Sequence, residues 1–143
     1  MQKPIATFLF VWVLVLGCHH DDPEHPATTH LRNYLRLKKK SPDSALVELI
    51  QHAKIAFQEH PQAAEWAQLV ARLDGAGRAS LPDRLRLRRL ELEMARENDV
   101  PAEYLESLEE DVLVLEEVEK ELNAEGTDPH TFFVAFRLEI SDD

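Results

Sequence analysis

The chain has 143 residues, with 27 Asp and Glu against 16 Lys and Arg, a formal net charge of −11. The acidic excess is C-terminal: residues 19–60 hold six charges of each sign, 61–98 seven basic and six acidic, and 99–143 two basic and fifteen acidic. No basic surface for a nucleic-acid backbone can be assembled from this distribution, so nucleic acid is set aside as a partner, and the one cysteine, Cys18, excludes an intrachain disulfide.

Met1-Gln2-Lys3 carries a positive charge and precedes an apolar stretch from Ile5 to Leu16. A membrane-spanning helix needs ~20 apolar residues, whereas the apolar core of a secretion signal needs ~7 to 15, so the length favours secretion. The stretch ends in Val15-Leu16-Gly17-Cys18. This ending resembles the lipobox of bacterial lipoproteins, an aliphatic residue, a tolerant position, a small residue and cysteine; the commonest form has Ala or Ser where Leu16 stands. The resemblance covers residues 1–18 only. It implies that residues 1–17 are a cleaved signal peptide and that Cys18 becomes the first residue, carrying a covalent diacylglycerol and a fatty acid such as palmitate. With His19 rather than Asp after the cysteine, it also implies the outer membrane, facing the periplasm, in a Gram-negative host. Two or more acyl chains anchor stably where one does not, so the lipid bilayer is the first expected partner. No other cofactor is expected.

Residues 18–29 are polar, include Pro23 and Pro26 and show no hydrophobic period, which predicts a disordered tether able to reach roughly 35 Å. His19, His20, Asp21, Asp22, His25 and His30, with Glu24, have the imidazole and carboxylate chemistry to bind Zn²⁺, Cu²⁺ or Ni²⁺. A metal-binding or metal-sensing lipoprotein is therefore the alternative functional reading.

Residues 30–143 are expected to form one mainly α domain, a small bundle of three to four helices with one C-terminal strand. A short amphipathic piece over about 30–40 (Leu31, Tyr34, Leu35, Leu37) runs into Lys38-Lys39-Lys40. That basic run is either a solvated helix end or a contact with anionic headgroups. Ser41-Pro42-Asp43 is a helix start, with Ser as the cap, and Leu46, Leu49, Ile50, Ala53 and Phe57 recur at helical spacing over 42–59. Glu48, His52 and Glu59 then fall on the opposite, solvent-facing stripe. The next helix, 61–73, has Ala63, Trp66, Ala67, Val70 and Leu73 on its buried side, ends at Gly75 and Gly77, and would pair with the one before it as a hairpin. Phe57 to Leu73 faintly resembles a tetratricopeptide junction, but Pro82 stands where the next copy needs a small residue, so no repeat continues.

The segment 81–97 alternates like a strand at Leu85-Arg86-Leu87 and Leu90-Glu91-Leu92, yet it is built from strong helix formers and opens with a capping box, Ser80 and Asp83. As a helix it has two apolar stripes, Leu81, Leu85 and Leu92 on one side and Leu87, Leu90 and Met94 nearly opposite, and therefore needs neighbours on both sides. After Asn98 to Pro101 the last helix, 102–123, carries a seam of Leu105, Leu108, Val112, Leu115 and Leu122, interrupted by Glu119. An antiparallel hairpin of these two helices would bring Arg84, Arg86, Arg88 and Arg89 beside Glu116, Glu117, Glu119 and Glu121. The surplus acids, Glu103, Glu106, Glu109, Glu110 and Asp111, are either a solvated face or a docking strip for a basic partner.

Residues 131–140 are aromatic and β-branched with period two, a strand with Phe132, Val134, Phe136, Leu138 and Ile140 on one side and Phe133, Ala135, Arg137 and Glu139 on the other. Three uses are open: capping the bundle, pairing with an irregular stretch such as 75–81, or pairing with a partner or a second copy through Phe132, Val134, Phe136 and Leu138. No phosphate loop, metalloprotease motif, EF-hand or nucleophile elbow is present, so no enzymatic activity is expected. Protein binding from a lipid anchor in the cell envelope is the leading expectation.

Overall fold

The computed structural model describes residues 24–138. The chain is mainly helical, with five α-helices and a two-stranded antiparallel sheet among the described residues. Where length suggests one domain, the chain divides into two compact units, one reaching to Ala64 and the other Glu65–Leu138.

In the first unit, α1 (Pro26–Leu37) begins inside the segment expected to be tether. Pro26 has no N–H to leave unsatisfied at a helix start, and His25 Nδ1 accepts the Ala27 N–H at 3.1 Å. Ala27, Leu31 and Tyr34 are buried at spacings of four and three. Their stripe, not the polar composition, sets the helix start. Lys38 follows the last turn, with its ammonium 5.8 Å from the Tyr34 ring centre, and the Ser41 N–H closes the turn on the Leu37 carbonyl at 2.8 Å.

The second helix, α2 (Pro42–Ala56), starts where expected, but its N-cap Ser41 makes no side-chain capping bond. It also ends three residues before Glu59, because Gln58 and Glu59 both adopt positive φ, 53° and 58°. The Glu59 N–H turns back to the Lys54 carbonyl, a six-to-one bond of the Schellman kind that satisfies a terminal acceptor. Ala45, Leu49 and Ala53 are buried. The stripe of Glu48 and His52 is not solvent-facing as its polarity suggests, because α1 packs over it. Glu48 accepts hydrogen bonds from Asn33 at 2.7 Å and pairs with His30 Nδ1 at 3.2 Å, while His52 Nδ1 lies 2.8 Å from the Ala27 carbonyl. Only Glu59 of that expected stripe is exposed.

The third helix, α3 (Ala63–Ala76), which belongs to the second unit from Glu65 onward, runs on past Gly75 and stops at Gly77, which takes φ +76°. Trp66, Ala67, Leu69, Val70 and Leu73 are buried. The strand β1 (Arg78–Ser80) leads directly into α4 (Leu81–Arg96), whose Asp83 N–H is capped by Ser80 Oγ at 3.3 Å. Only this half of the capping box forms. The Asp83 carboxylate instead takes both guanidinium nitrogens of Arg72, at 3.3 Å each. Both apolar stripes of α4 are buried, as two-sided packing requires. On one side Leu85, Leu92 and Ala95 form a cluster with Leu108 and Val112 of α5 (Ala102–Ala124). On the other, Trp66, Glu65 and Arg72 of α3 bond to Glu91, Arg86 and Asp83. Asp83 at the start of α4 meets Arg72 late in α3 and Glu91 meets Trp66 near its beginning, while Arg89 meets Glu116 and Arg96, at the end of α4, meets Glu109, so α4 lies antiparallel to both neighbours.

The ion pairs between α4 and α5 are Arg89–Glu116 at 2.8 Å, Arg96–Glu109 at 3.4 Å and Arg88–Asp111 at 3.6 Å. The expected register therefore holds for Arg89 alone. Arg86 turns the other way, to Glu65, and Arg84 lies over the Phe136 ring at 5.6 Å, because successive residues of a helix that is buried on both sides serve both neighbours. The α5 seam is buried only at Leu108 and Val112; Leu115, Glu119 and Leu122 are half-buried.

A 3-10 turn, Pro129–Thr131, precedes β2 (Phe133–Ala135), which is shorter than the expected 131–140; residues 139 and 140 lie outside the described part. It pairs antiparallel with β1, Arg78 opposite Ala135, Ala79 opposite Val134 and Ser80 opposite Phe133. Among the three uses open to this strand, pairing with the irregular stretch near 75–81 is thus realised.

Candidate functional site

The sheet is where chemistry not consumed by folding collects. Flanking bonds run from the Phe136 N–H to the Gly77 carbonyl at 3.0 Å and from the Leu81 N–H to the Phe132 carbonyl at 2.9 Å. Hydrogen-bonded pairs alternate in an antiparallel ladder, so Val134 also faces β1 with its peptide groups. The N–H and C=O groups of Phe133 and Ala135 consequently point away from β1. Past the strand the chain is tied down by the buried Asp74, whose Oδ1 accepts the Leu138 N–H at 3.1 Å.

Side chains divide by the same alternation. Phe136 is buried, and Val134 and Leu138 are half-buried, so three of the four strand residues expected to meet a partner face the unit's own interior. The reason is the apolar demand of the bundle, which takes the more hydrophobic face of the strand. Phe132 remains 39 % exposed at the strand's entry, and Phe133, assigned to the other face, is 46 % exposed. Arg78 covers the Phe133 ring at 4.3 Å, a cation–π contact, and the exposed Arg137 reaches the Asp74 and Phe136 carbonyls with its Nη1 at 3.4 and 3.3 Å. The outer face thus presents Phe133, Ala135, Arg78 and Arg137. Arg137 and Glu139 among the odd-numbered residues were the available signal that this face meets water, and Arg78 had none, because β1 lacks strand composition.

The remaining expected site residues do not converge. Glu103, Glu106 and Glu110 are exposed on α5. Cys18, His19, His20, Asp21 and Asp22 lie outside the described residues. His25 caps α1 and His30 pairs with Glu48. Among the described residues no group of three or more His, Cys, Asp or Glu side chains is placed to hold a metal ion, and no helix is long and apolar enough to cross a membrane.

One buried polar network serves the interior. Trp66 Nε1 donates to Glu91 Oε2 at 3.0 Å, and Arg88 donates to Glu91 Oε1 at 2.6 Å while its Nε lies 3.6 Å from Asp111. Burial works against the Arg88 charge, but Glu91 and Asp111 outweigh it and hold the guanidinium above its ordinary range. Burial raises the Asp111 carboxyl in spite of Arg88 and Arg84, and raises the neighbouring Tyr104 hydroxyl, with Glu91 adding to it. Such a network fixes the relative register of three helices.

Comparison of the chain with protein-family models, with curated proteins and with solved structures finds no match.

Proposed function

We propose that the chain is a lipid-anchored protein of the bacterial cell envelope whose folded part is a protein-interaction module, docking partners at its C-terminal strand. The observation that carries the reading is an exposed aromatic, Phe133, on the same three-residue strand whose Phe133 and Ala135 peptide groups turn away from β1. A strand edge of this kind supplies main-chain hydrogen bonds to an added strand, and the neighbouring side chain supplies apolar contact. The anchor rests on Val15-Leu16-Gly17-Cys18, which supports thioether attachment of diacylglycerol at Cys18, removal of residues 1–17 and residence at the outer membrane facing the periplasm.

The test uses the tagged full chain in a bacterial host fed radiolabelled palmitate, followed by crosslinking. Wild type should carry label and capture a protein. Cys18→Ala should run as a longer, unlabelled precursor, and Ala135→Pro should keep label and helical circular dichroism while losing the captured protein. Label on Cys18→Ala would overturn the anchor. Capture unchanged by Ala135→Pro would overturn the module.

A further inference from the structure

The second unit contains eight arginines, and they sort sharply by partner. Five lie within salt-bridge distance of a carboxylate, among them Arg89 with Glu116 and Arg96 with Glu109. Arg78, Arg84 and Arg137 have no such partner among the described residues, although the chain carries a net charge of −11. All three sit at the sheet. Arg84 is half-buried over Phe136, where burial and then Arg88 work against its charge more than Glu91 and Asp111 favour it. That leaves Arg78 and Arg137, both exposed and both on the outer face with Phe133.

Their placement relative to the free edge is specific. Arg78 stands directly opposite Ala135, whose methyl is too small to screen it from a chain lying on the far side of β2. Arg137 is two residues beyond Ala135 on the same strand face, held against the Gly77 turn by the Asp74 and Phe136 carbonyls. Carbonyls orient a guanidinium without neutralising it. An added strand would therefore pass an apolar ring and then two arginines that have no carboxylate within salt-bridge distance among the described residues, all on one face and spaced by the period of two.

We infer that the partner taken by this edge is an extended, carboxylate-bearing segment of another protein, added as a third strand beside Phe133–Ala135 with its acidic side chains toward Arg78 and Arg137. The inference rests on the reading of the strand edge as a docking site and names the chemistry of what docks. The acidic bulk of the chain sharpens it. Beyond about 10 Å at moderate salt the field of the distant carboxylates is screened, so local arginines decide selection at the edge, while a basic segment would be drawn to α5 instead.

The experiment titrates the ¹⁵N-labelled full chain in mild detergent with two six-residue probes, alternating valine–glutamate and alternating valine–lysine, and follows backbone amide shifts and exchange protection. The glutamate probe should move and protect the Phe133 and Ala135 amides and bind roughly tenfold tighter than the lysine probe at low salt. Arg78→Glu and Arg137→Glu, surface changes that leave the helices intact, should each weaken it by roughly three- to tenfold and favour the lysine probe. If both probes bind equally and both fail on Ala135→Pro, the edge docks strands but the acidic preference is overturned. If neither probe touches Phe133 and Ala135, the docking site itself falls. Concentration-dependent shifts at those amides without any probe would make a second copy the occupant and overturn the proposal.

Discussion

The Trp66 indole N–H donates to the buried Glu91 carboxylate at 3.0 Å, joining α3 to the middle of α4. Glu91 is 5 % exposed, so the cost of burying its charge is offset by Trp66 and Arg88 together. Trp66→Phe keeps most of the packing and strips Glu91 of one donor, which should cost about 1 to 3 kcal/mol in denaturant unfolding. Trp66→Ala, which also empties the site, should cost about 3 to 5 kcal/mol. In a Glu91→Leu background, which itself costs stability by leaving Arg88 without its closest carboxylate, Trp66→Phe should cost less than it does alone, because no acceptor is left unpaired. A double variant whose cost is the plain sum of the two would show that the bond is not a coupled element of the core.

That bond also marks the limit of what the residues disclose in order. The burial of Trp66, the two stripes of α4 and a strand at Phe133 to Ala135, though not its expected length, follow from periodicity, and the structure has them. Glu91 sits inside the Leu90-Glu91-Leu92 alternation, where helical phase marks it as polar and nothing local says that an indole 25 residues earlier will cover it. The partner of the C-terminal strand was hidden for a related reason. Arg78-Ala79-Ser80 has no β-branched or aromatic residue, and becomes a strand only because Gly77 ends α3 and Leu81 begins α4 on either side. The covering of His52 by α1 depends on Ala27, a residue inside a segment whose prolines and acids read as tether.

His52 gives the pH dependence of the first unit. Burial, then the nearby His30 and His25, push its imidazole from 6.5 down to about 4, against the Ala27 carbonyl bond, which favours the charged form. The folded pKa is depressed, so between pH 6.5 and 4 the unfolded chain binds more protons, and stability falls as pH falls through that window. The contribution, about 3 kcal/mol for full protonation, is intact above pH 6.5 and lost by about pH 4. Protection factors of the α1 amides, referred to the intrinsic exchange rate at each pH, should therefore fall between pH 6.5 and 4.5, and His52→Gln should flatten the trend. The same slope in His52→Gln would assign the acid sensitivity elsewhere.

Gly77 and Gly126 form a natural control pair, with φ of +76° and +77°. Alanine at either position pays for left-handed backbone, about 1 to 2 kcal/mol. At Gly126 the new Cβ meets nothing within 4 Å, whereas at Gly77 it would lie 2.7 Å from Arg137 Nη1. Because a guanidinium can swing away, Gly77→Ala should cost little more stability than Gly126→Ala but should displace Arg137. Only Gly77→Ala should then weaken the glutamate probe in the titration above, and equal binding by both variants would show that the Gly77 turn does not position Arg137.

The sharpest test of the strand geometry is a pair of prolines one residue apart. The ladder alternation places the Val134 N–H toward Ala79 and the Ala135 N–H toward the free edge, since Phe136 and Phe132 bond to Gly77 and Leu81 on the β1 side. Val134→Pro removes an internal donor and leaves the Ala79 carbonyl, in a residue 1 % exposed, without its partner, so the sheet should open at a cost of about 3 kcal/mol or more. Ala135→Pro removes only an outward donor, and edge positions tolerate proline when their N–H faces away from the ladder. Unfolding midpoints should consequently drop for Val134→Pro and stay near wild type for Ala135→Pro, while both variants keep α1 and α2 intact by circular dichroism and exchange. Partner capture should be lost in both, in one because the strand is gone and in the other because its edge is capped. The reverse order of stabilities would mean that the register is shifted by one residue. That shift would turn Phe133 and Arg137 inward and remove the face on which docking depends.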